Sequence, residues 1–317
     1  MRETPEGIDI LLQTSVQFTS NCTAVSAKAS SANHTRCGDA AQLYDGVGRC
    51  FGSFDAARTT HIGLQQRFRQ HAPAHCAAGR SVMLLKPAQF NALGDAAPNI
   101  EMSMVVSRRT GSNGSEAAVK VLPPSGADRA IAVPSEAGYF VAVADGAGGT
   151  GGGASAADRL IVALTKLTAQ AASADWWSVL LELDEESAGR GGETTAVVAF
   201  VDSDRVRGAS VGDSAAWLIS PAGEMTDVTV HQHRKPLIGS GEGLPVEFEA
   251  ELRGGRLLLA TDGLTKYVTA ERICALTTKG SVVKAADSLT ACVRLPSGGL
   301  QDDVAVVIVG LAFEKGL

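Results

Sequence analysis

Apolar residues are spread unevenly along the chain. After residue 102 they gather into short dense runs closed by Asp, Gly or Ser: GYFVAVAD, TTAVVAFVDSD, RVRGASVGDS, AAWLIS, RLLLATDG and DDVAVVIVGLAF. Runs of this length, bounded by turn residues, predict buried β-strands. Between them the period changes. Residues 151–172 place Ala157, Leu160, Ile161, Leu164 and Leu167 on one helical face. Asp175 is suited to cap a second helix carrying Trp177, Leu180 and Leu181. ERICALTTKG and SVVKAADSLTACVRL read as two more amphipathic helices. Helices grouped between runs of antiparallel strands predict an α+β layered sandwich rather than alternating βαβ units.

Residues 1–101 show no such order. Ser, Thr, Asn, Ala and Gly are scattered through NCTAVSAKASSANHTRCGDAAQ without a sustained period. Only the stretches 62–68 and 81–86 resemble ordered elements. Three readings stay open for 1–101: a small irregular domain, a disordered segment, or a stretch outside the native product with Met102 or Met104 as the start. N-terminal sequencing of the natively expressed protein separates the last from the others. Residues 102–317 are expected to form one domain.

Hydrophobic residues make up 45% of the chain and charged residues 20%, enough apolar material for a sizeable core. A formal net charge of −6 argues against general nucleic-acid binding. No apolar run approaches the ~18 residues of a membrane span, and MRETPEGIDILLQTS lacks a basic stretch followed by an apolar one. The expectation is a cytoplasmic protein without a membrane partner. Cys22, Cys37, Cys50 and Cys76 share the first 76 residues with His34, His61, His71 and His75. No CxxC pair gives finger-like spacing there, so reduced, unrelated thiols are expected.

The stretch FVAVADGAGGTGGGASAADRL, residues 140–160, invites two opposed readings: glycines that cradle a phosphate, or an Asp that holds a metal. A phosphate loop needs a Lys and a hydroxyl at its end, and no Lys stands between Asp145 and Lys166. A dinucleotide fingerprint can be laid over Gly146, Gly148 and Gly151, but no acidic residue follows about 20 positions on at the end of a second strand. The metal reading gains because the device recurs. Asp145-Gly146 follows one apolar run and Asp262-Gly263 another, Asp302-Asp303 opens a third, and Asp213 sits in the turn VGDS. Carboxylates at glycine-flanked strand ends suit hard divalent cations such as Mg²⁺ or Mn²⁺.

Residues 126–312 carry these runs in an order that resembles the metal-dependent, type 2C serine/threonine protein phosphatases in a bacterial-like form. VADGAGG resembles the family's DG-x-GG turn, GETTAVVAF its GTTA strand, GASVGDSAAWLI its VGDSR hairpin, LLLATDGL its ASDGL motif and QDDVAVVIV its DN-x-T-VV strand. The resemblance implies a four-layer α-β-β-α sandwich of two antiparallel sheets flanked by helices. It implies two Mn²⁺ or Mg²⁺ ions sharing a water that attacks a phosphoserine or phosphothreonine monoester. Asp145 would bridge both ions, Gly146 would offer its carbonyl to one, and Asp262 and Asp302 would ligate the other. These three carboxylates would act catalytically through the metal-bound water. Asp213 would match the residue that helps hold a loosely bound third ion. Asp128, in GADRA, would match an aspartate bonded to metal-bound waters. Implied partners are a phosphorylated protein and a serine/threonine kinase whose action is reversed.

The sequence also departs from the family. Ala127 replaces a usual Glu, Ala147 stands where eukaryotic members carry His, Ala215 stands where Arg is usual, and Asp303 takes the place of Asn. The upstream phosphate-binding Arg has no clear counterpart; Arg108, Arg109 and Arg129 are the nearby candidates. HQHRKPLIGSG sets His231, His233, Arg234 and Lys235 near the expected cleft rim, read as a solvated basic loop. An alternative function therefore stands beside catalysis: a catalytically weak phosphatase-like module that binds a phosphoprotein or kinase.

Overall fold

A computed structural model describes residues 11–18, 40–44, 50–55, 100–110, 113–123, 126–135, 137–147, 151–202 and 204–311, with side-chain surroundings from Ser115 to Gly310. The stretches 62–68 and 81–86 lie outside the described residues. The chain divides into two compact units, Met1–Ser15 with Glu101–Leu317, and Val16–Ile100. In the second unit, β2 (Ala40–Tyr44) and β3 (Cys50–Asp55) pair antiparallel, Ala40 opposite Asp55.

The first unit is built on two sheets. The larger has the order β1 (Leu11–Phe18), β4 (Ile100–Thr110), β5 (Asn113–Leu122), β14 (Val304–Leu311), β13 (Arg256–Ala260), β10 (Ala215–Ile219), β11 (Met225–Asp227). The smaller has the order β12 (Val246–Glu251), β9 (Arg205–Val211), β8 (Ala196–Val201), β7 (Tyr139–Ala144), β6 (Arg129–Pro134), with every neighbour antiparallel. Because β7 runs antiparallel to both β6 and β8, it is not part of the parallel βαβ unit that a dinucleotide fingerprint requires.

The dense apolar runs follow from burial on both faces. Successive strand side chains point to opposite sides. In β13, Leu257 and Leu259 join Val141, Val143, Val197 and Val307 between the sheets. Leu258 and Ala260 point the other way, onto Ile273, Val282 and Leu289. Those residues belong to helices α4 (Ala270–Thr277) and α5 (Val282–Cys292), which cover the outer face of the larger sheet. Helices α1 (Gly153–Lys166) and α2 (Trp176–Ser187) bury Leu160, Leu164, Trp176 and Leu180 against the smaller sheet. Phe140 of β7 stacks on Trp176 with ring centroids 5.2 Å apart. The result is the expected four-layer α-β-β-α sandwich.

Local expectations fare unevenly. Asp175 does cap α2, accepting from the Ser178 N–H at 3.1 Å. On this helix the buried tryptophan is Trp176, while Trp177 is exposed. The buried stripe runs Trp176, Leu180, Asp184, a period-four row whose third member is charged and so escapes an apolar pattern. The sequence pattern also does not predict strand β12. In VEFEAE only Phe248 is buried while Glu247, Glu249 and Glu251 face solvent, the signature of a charged edge strand.

Candidate metal centre

Antiparallel registers bring the acidic turns to one edge. Arg129 lies opposite Ala144, Val143 opposite Val197 and Ala196 opposite Val211, so the start of β6, the end of β7, the start of β8 and the end of β9 coincide. In the other sheet Ala215 pairs with Ala260, and Ala260 with Val306, which gathers the start of β10, the end of β13 and the start of β14. All of these ends but the start of β8, which carries Thr194 and Thr195, hold one of Asp128, Asp145, Asp213, Asp262 or the Asp302-Asp303 pair.

Three carboxylates converge: Asp145, Asp213 and Asp262 each offer an oxygen, all within 4.8 Å of one another. Asp302 is exposed and outside this trio, but its charge acts on both Asp145 and Asp262. Asp128 is 1% exposed, hydrogen-bonded to Thr261 and Asp145, and its Oδ2 is buried without a hydrogen-bond partner. Asp303 points elsewhere, accepting the Ala127 N–H at 2.5 Å. Gly263 touches that same segment, since a Cβ there would lie 1.8 Å from the Asp303 carbonyl oxygen.

The backbone around Asp145 is held by Thr194 and Thr195. The Asp145 N–H donates to Thr195 Oγ1 at 2.9 Å. Its carbonyl accepts from the Thr195 N–H at 2.8 Å and from Thr194 Oγ1 at 2.9 Å. Ala147 N–H donates to the Glu193 carbonyl at 2.8 Å, so the Gly146 and Thr194 pairing is made by their neighbours and leaves the Gly146 carbonyl outside the ladder. Gly146 itself abuts the start of α1: a Cβ would sit 2.3 Å from the Gly153 carbonyl carbon, so only glycine fits. Thr195 Oγ1 also meets Ser214 Oγ at 2.6 Å, tying the Asp145 turn to the Asp213 turn.

A second brace comes from Asp184, fully buried on α2. Its carboxylate accepts the N–H groups of Gly239 at 2.6 Å, Gly241 at 3.1 Å and Gly243 at 2.6 Å. The same loop exchanges two 3.0 Å backbone hydrogen bonds between Ile238 and Thr194. Asp184 thus fixes the loop that fixes the threonine holding Asp145.

Like charges packed together perturb one another. Burial first, then the charges of Asp262, Asp213 and Asp302, push the Asp145 carboxyl from 3.8 up to about 6. Burial and the Asp145 charge raise Asp128 well above the ordinary carboxylate range. Asp262 is raised by burial, against the opposing pull of a Lys266 ion pair. Lys266 in turn is raised, chiefly by hydrogen bonding to Asp262. Arg234 Nε pairs with Asp213 Oδ2 at 2.9 Å, so this member of the basic loop lies on the cluster. The donor set fits a hard divalent cation: clustered carboxylate oxygens, a carbonyl free of the ladder and an orphaned buried oxygen on Asp128.

A raised carboxyl pKa sets the sign of a pH effect. The folded state keeps the Asp145 proton up to about pH 6, whereas the unfolded chain loses it near 3.8. Ionisation therefore costs folded-state stability as pH rises through that window, and the full cost is present above it. Without divalent ions the protein should melt higher at pH 5 than at pH 7.5. Saturating Mn²⁺ should reverse the order, because metal and proton compete for the same oxygens. Melting curves at both pH values, with and without Mn²⁺, test this; a metal-free Tm that climbs from pH 5 to 7.5 contradicts it.

The candidate phosphate arginines fare differently. Arg129 is fully engaged: Nε meets Asp158 Oδ1 at 2.5 Å, and Nη1 donates to the carbonyls of Gly126 at 2.6 Å and Asp128 at 2.7 Å. Arg108 and Arg109 lie on β4 opposite Ser115 and Gly114, and their side chains are outside the described residues. No sequence motif marks the roles of Thr194 and Asp184. Lys266 alone left a local signal, standing four residues after Asp262 on the same helical side.

A family model described as Stage II sporulation protein E (SpoIIE) matches residues 135–312. No curated protein matches the chain by sequence. Among solved structures, the serine/threonine phosphatase PstP of Mycobacterium tuberculosis is 23% identical, with a TM-score of 0.52 over 63% of this chain and 99% of that one. The catalytic domain of PstP in complex with 2 manganese ions is 24% identical, with a TM-score of 0.51 over 63% and 99%. RsbX in complex with magnesium is 20% identical, with a TM-score of 0.51 over 64% and 98%. These likenesses carry the fold, and the family model spans more than half of the 317 residues. The chain belongs to the Stage II sporulation protein E family, and its main unit has the fold of the type 2C protein phosphatases.

Proposed function

We propose that residues 102–317 form a metal-dependent phosphatase domain that hydrolyses phosphoserine and phosphothreonine monoesters of protein substrates. The observation that carries this reading is the convergence of Asp145, Asp213 and Asp262 oxygens within 4.8 Å of one another, beside an orphaned buried Asp128 oxygen. Asp145, the Gly146 carbonyl, Asp262 and Asp302 would hold two Mn²⁺ or Mg²⁺ ions. Such ions lower the pKa of a bound water and neutralise phosphoryl oxygens.

The protein's own residues do the rest. Thr194 and Thr195 hold the Asp145 turn so that its carboxylate enters the cluster at a fixed angle. Asp128, with Oδ2 unpartnered, accepts a proton or hydrogen bond from water in the site. Asp213 shares the negative wall with Asp262. The expected context is a cytoplasmic protein acting on a substrate of an opposing serine/threonine kinase. Among the described residues no helix is long and apolar enough to cross a membrane.

Hydrolysis of a phosphothreonine peptide should require Mn²⁺, cease in EDTA and disappear in Asp262→Ala. A folded wild type that binds the peptide without turnover under Mn²⁺ or Mg²⁺ would replace this reading with the phosphoprotein-binding module. The engagement of Arg129 by Asp158 favours that second reading, because it removes one candidate phosphate ligand.

A further inference from the structure

We infer that Lys266 is a resident cation of the carboxylate cluster, balancing charge on its Asp262 and Asp213 side where a further divalent ion would otherwise bind. The inference rests on the metal-dependent reading above and concerns how many ions the site takes.

The placement is built into the backbone. Asp262 opens the short helix α3 (Asp262–Thr265), and the Lys266 N–H donates to the Asp262 carbonyl at 2.8 Å. That one-turn link sets the lysine side chain over the carboxylate four residues earlier. Its ammonium forms an ion pair with Asp262 Oδ2, and its charge also acts on Asp213 and Asp302. One cation therefore sits on Asp262 and acts electrostatically on two further carboxylates at this edge.

The distribution is lopsided. Asp262 bears Lys266 and Asp213 bears Arg234, whereas the charges acting on Asp145 are those of Asp262, Asp213 and Asp302. The two cations also differ. Arg234 comes from a loop and its side chain is 73% exposed, while Lys266 is 44% exposed and fixed one turn from its partner. An ammonium offers three donors and a single charge but no coordination position for water. It can neutralise the Asp262 side without adding an ion able to activate a nucleophile. The further position between Asp262 and Asp213 is thereby closed, while the two positions that Asp145, the Gly146 carbonyl, Asp262 and Asp302 would form stay open to divalent ions.

The test uses the full chain, stripped of metal, as wild type, Lys266→Met and Lys266→Arg. Manganese binding is followed by calorimetry and melting by scanning. Lys266→Met should melt several degrees below wild type without metal, because neighbouring carboxylates lose their counter-charge. It should bind one more Mn²⁺ per chain and show a larger Mn²⁺-induced rise in Tm. Lys266→Arg should keep the wild-type ion number. An unchanged number of bound ions in Lys266→Met overturns the inference, whatever the melting curves do. Failure of Mn²⁺ to bind either wild type or Lys266→Met overturns the metal-dependent reading as well, so the two failures are distinguishable.

Discussion

Asp145→Asn should melt higher than wild type in metal-free buffer at pH 7.5, and under saturating Mn²⁺ it should hydrolyse phosphothreonine peptide at least about a hundredfold more slowly. Both effects come from the same charge. Ionised Asp145 is partly buried among Asp262, Asp213 and Asp302, which is why its pKa stands near 6. Asn keeps the shape and an acceptor for Asp128 while removing the repulsion. A ligand carboxylate that helps supply several kcal/mol of transition-state stabilisation is worth two or more decades of rate. Stability and activity should therefore move in opposite directions, as expected where a fold carries strain for its chemistry. A variant that loses activity and also melts lower without metal would show that Asp145 serves the fold rather than the cluster.

Asp184→Ala should be the most destabilising single substitution among the acidic residues. Its carboxylate is fully buried and accepts three backbone N–H groups, from Gly239, Gly241 and Gly243. Truncation strands those donors away from water, a loss of about 3–5 kcal/mol on the scale of broken buried charged networks. For a domain of this size that lowers Tm by roughly 6–20 °C. Activity should fall further than stability alone explains, because the loop carrying Ile238 also braces Thr194, which holds Asp145. Calorimetry with a Mn²⁺ titration separates the two effects. Wild-type Mn²⁺ affinity in a destabilised Asp184→Ala protein would confine the residue to a folding role.

Much of this architecture is legible in the chain because the central strands of both sheets are buried on both faces. Double burial turns strands such as RLLLA and VAVVIV into unbroken apolar runs, which need no alignment to recognise. The candidate metal ligands are legible for a related reason. Each sits where such a run begins or ends, and antiparallel pairing then stacks these ends at one edge. What escaped reading is what depends on tertiary contact. Asp184 lies 55 residues from Gly239 in sequence, and nothing local marks a carboxylate as the anchor of a distant glycine loop. Its charge also disguises the buried stripe of α2, which runs through Trp176 rather than Trp177. Arg129 reads as an available cation until Asp158 of α1 is placed against it. β12 alternates as an edge strand should, but three glutamates in six residues mask its single buried Phe248.

The threonine clasp on Asp145 has a consequence for how quickly ions come and go. Three hydrogen bonds fix this residue's backbone before any ion arrives. The conformational entropy that a floppy loop would surrender on capture has already been lost during folding. Capture and escape of an ion at this turn would then require no rearrangement of the Asp145 backbone, and residence time would be governed by water exchange and by the carboxylates themselves. Such a centre would track the free concentration of its ion without lag, as a passive follower of the surrounding metal pool rather than a gated store.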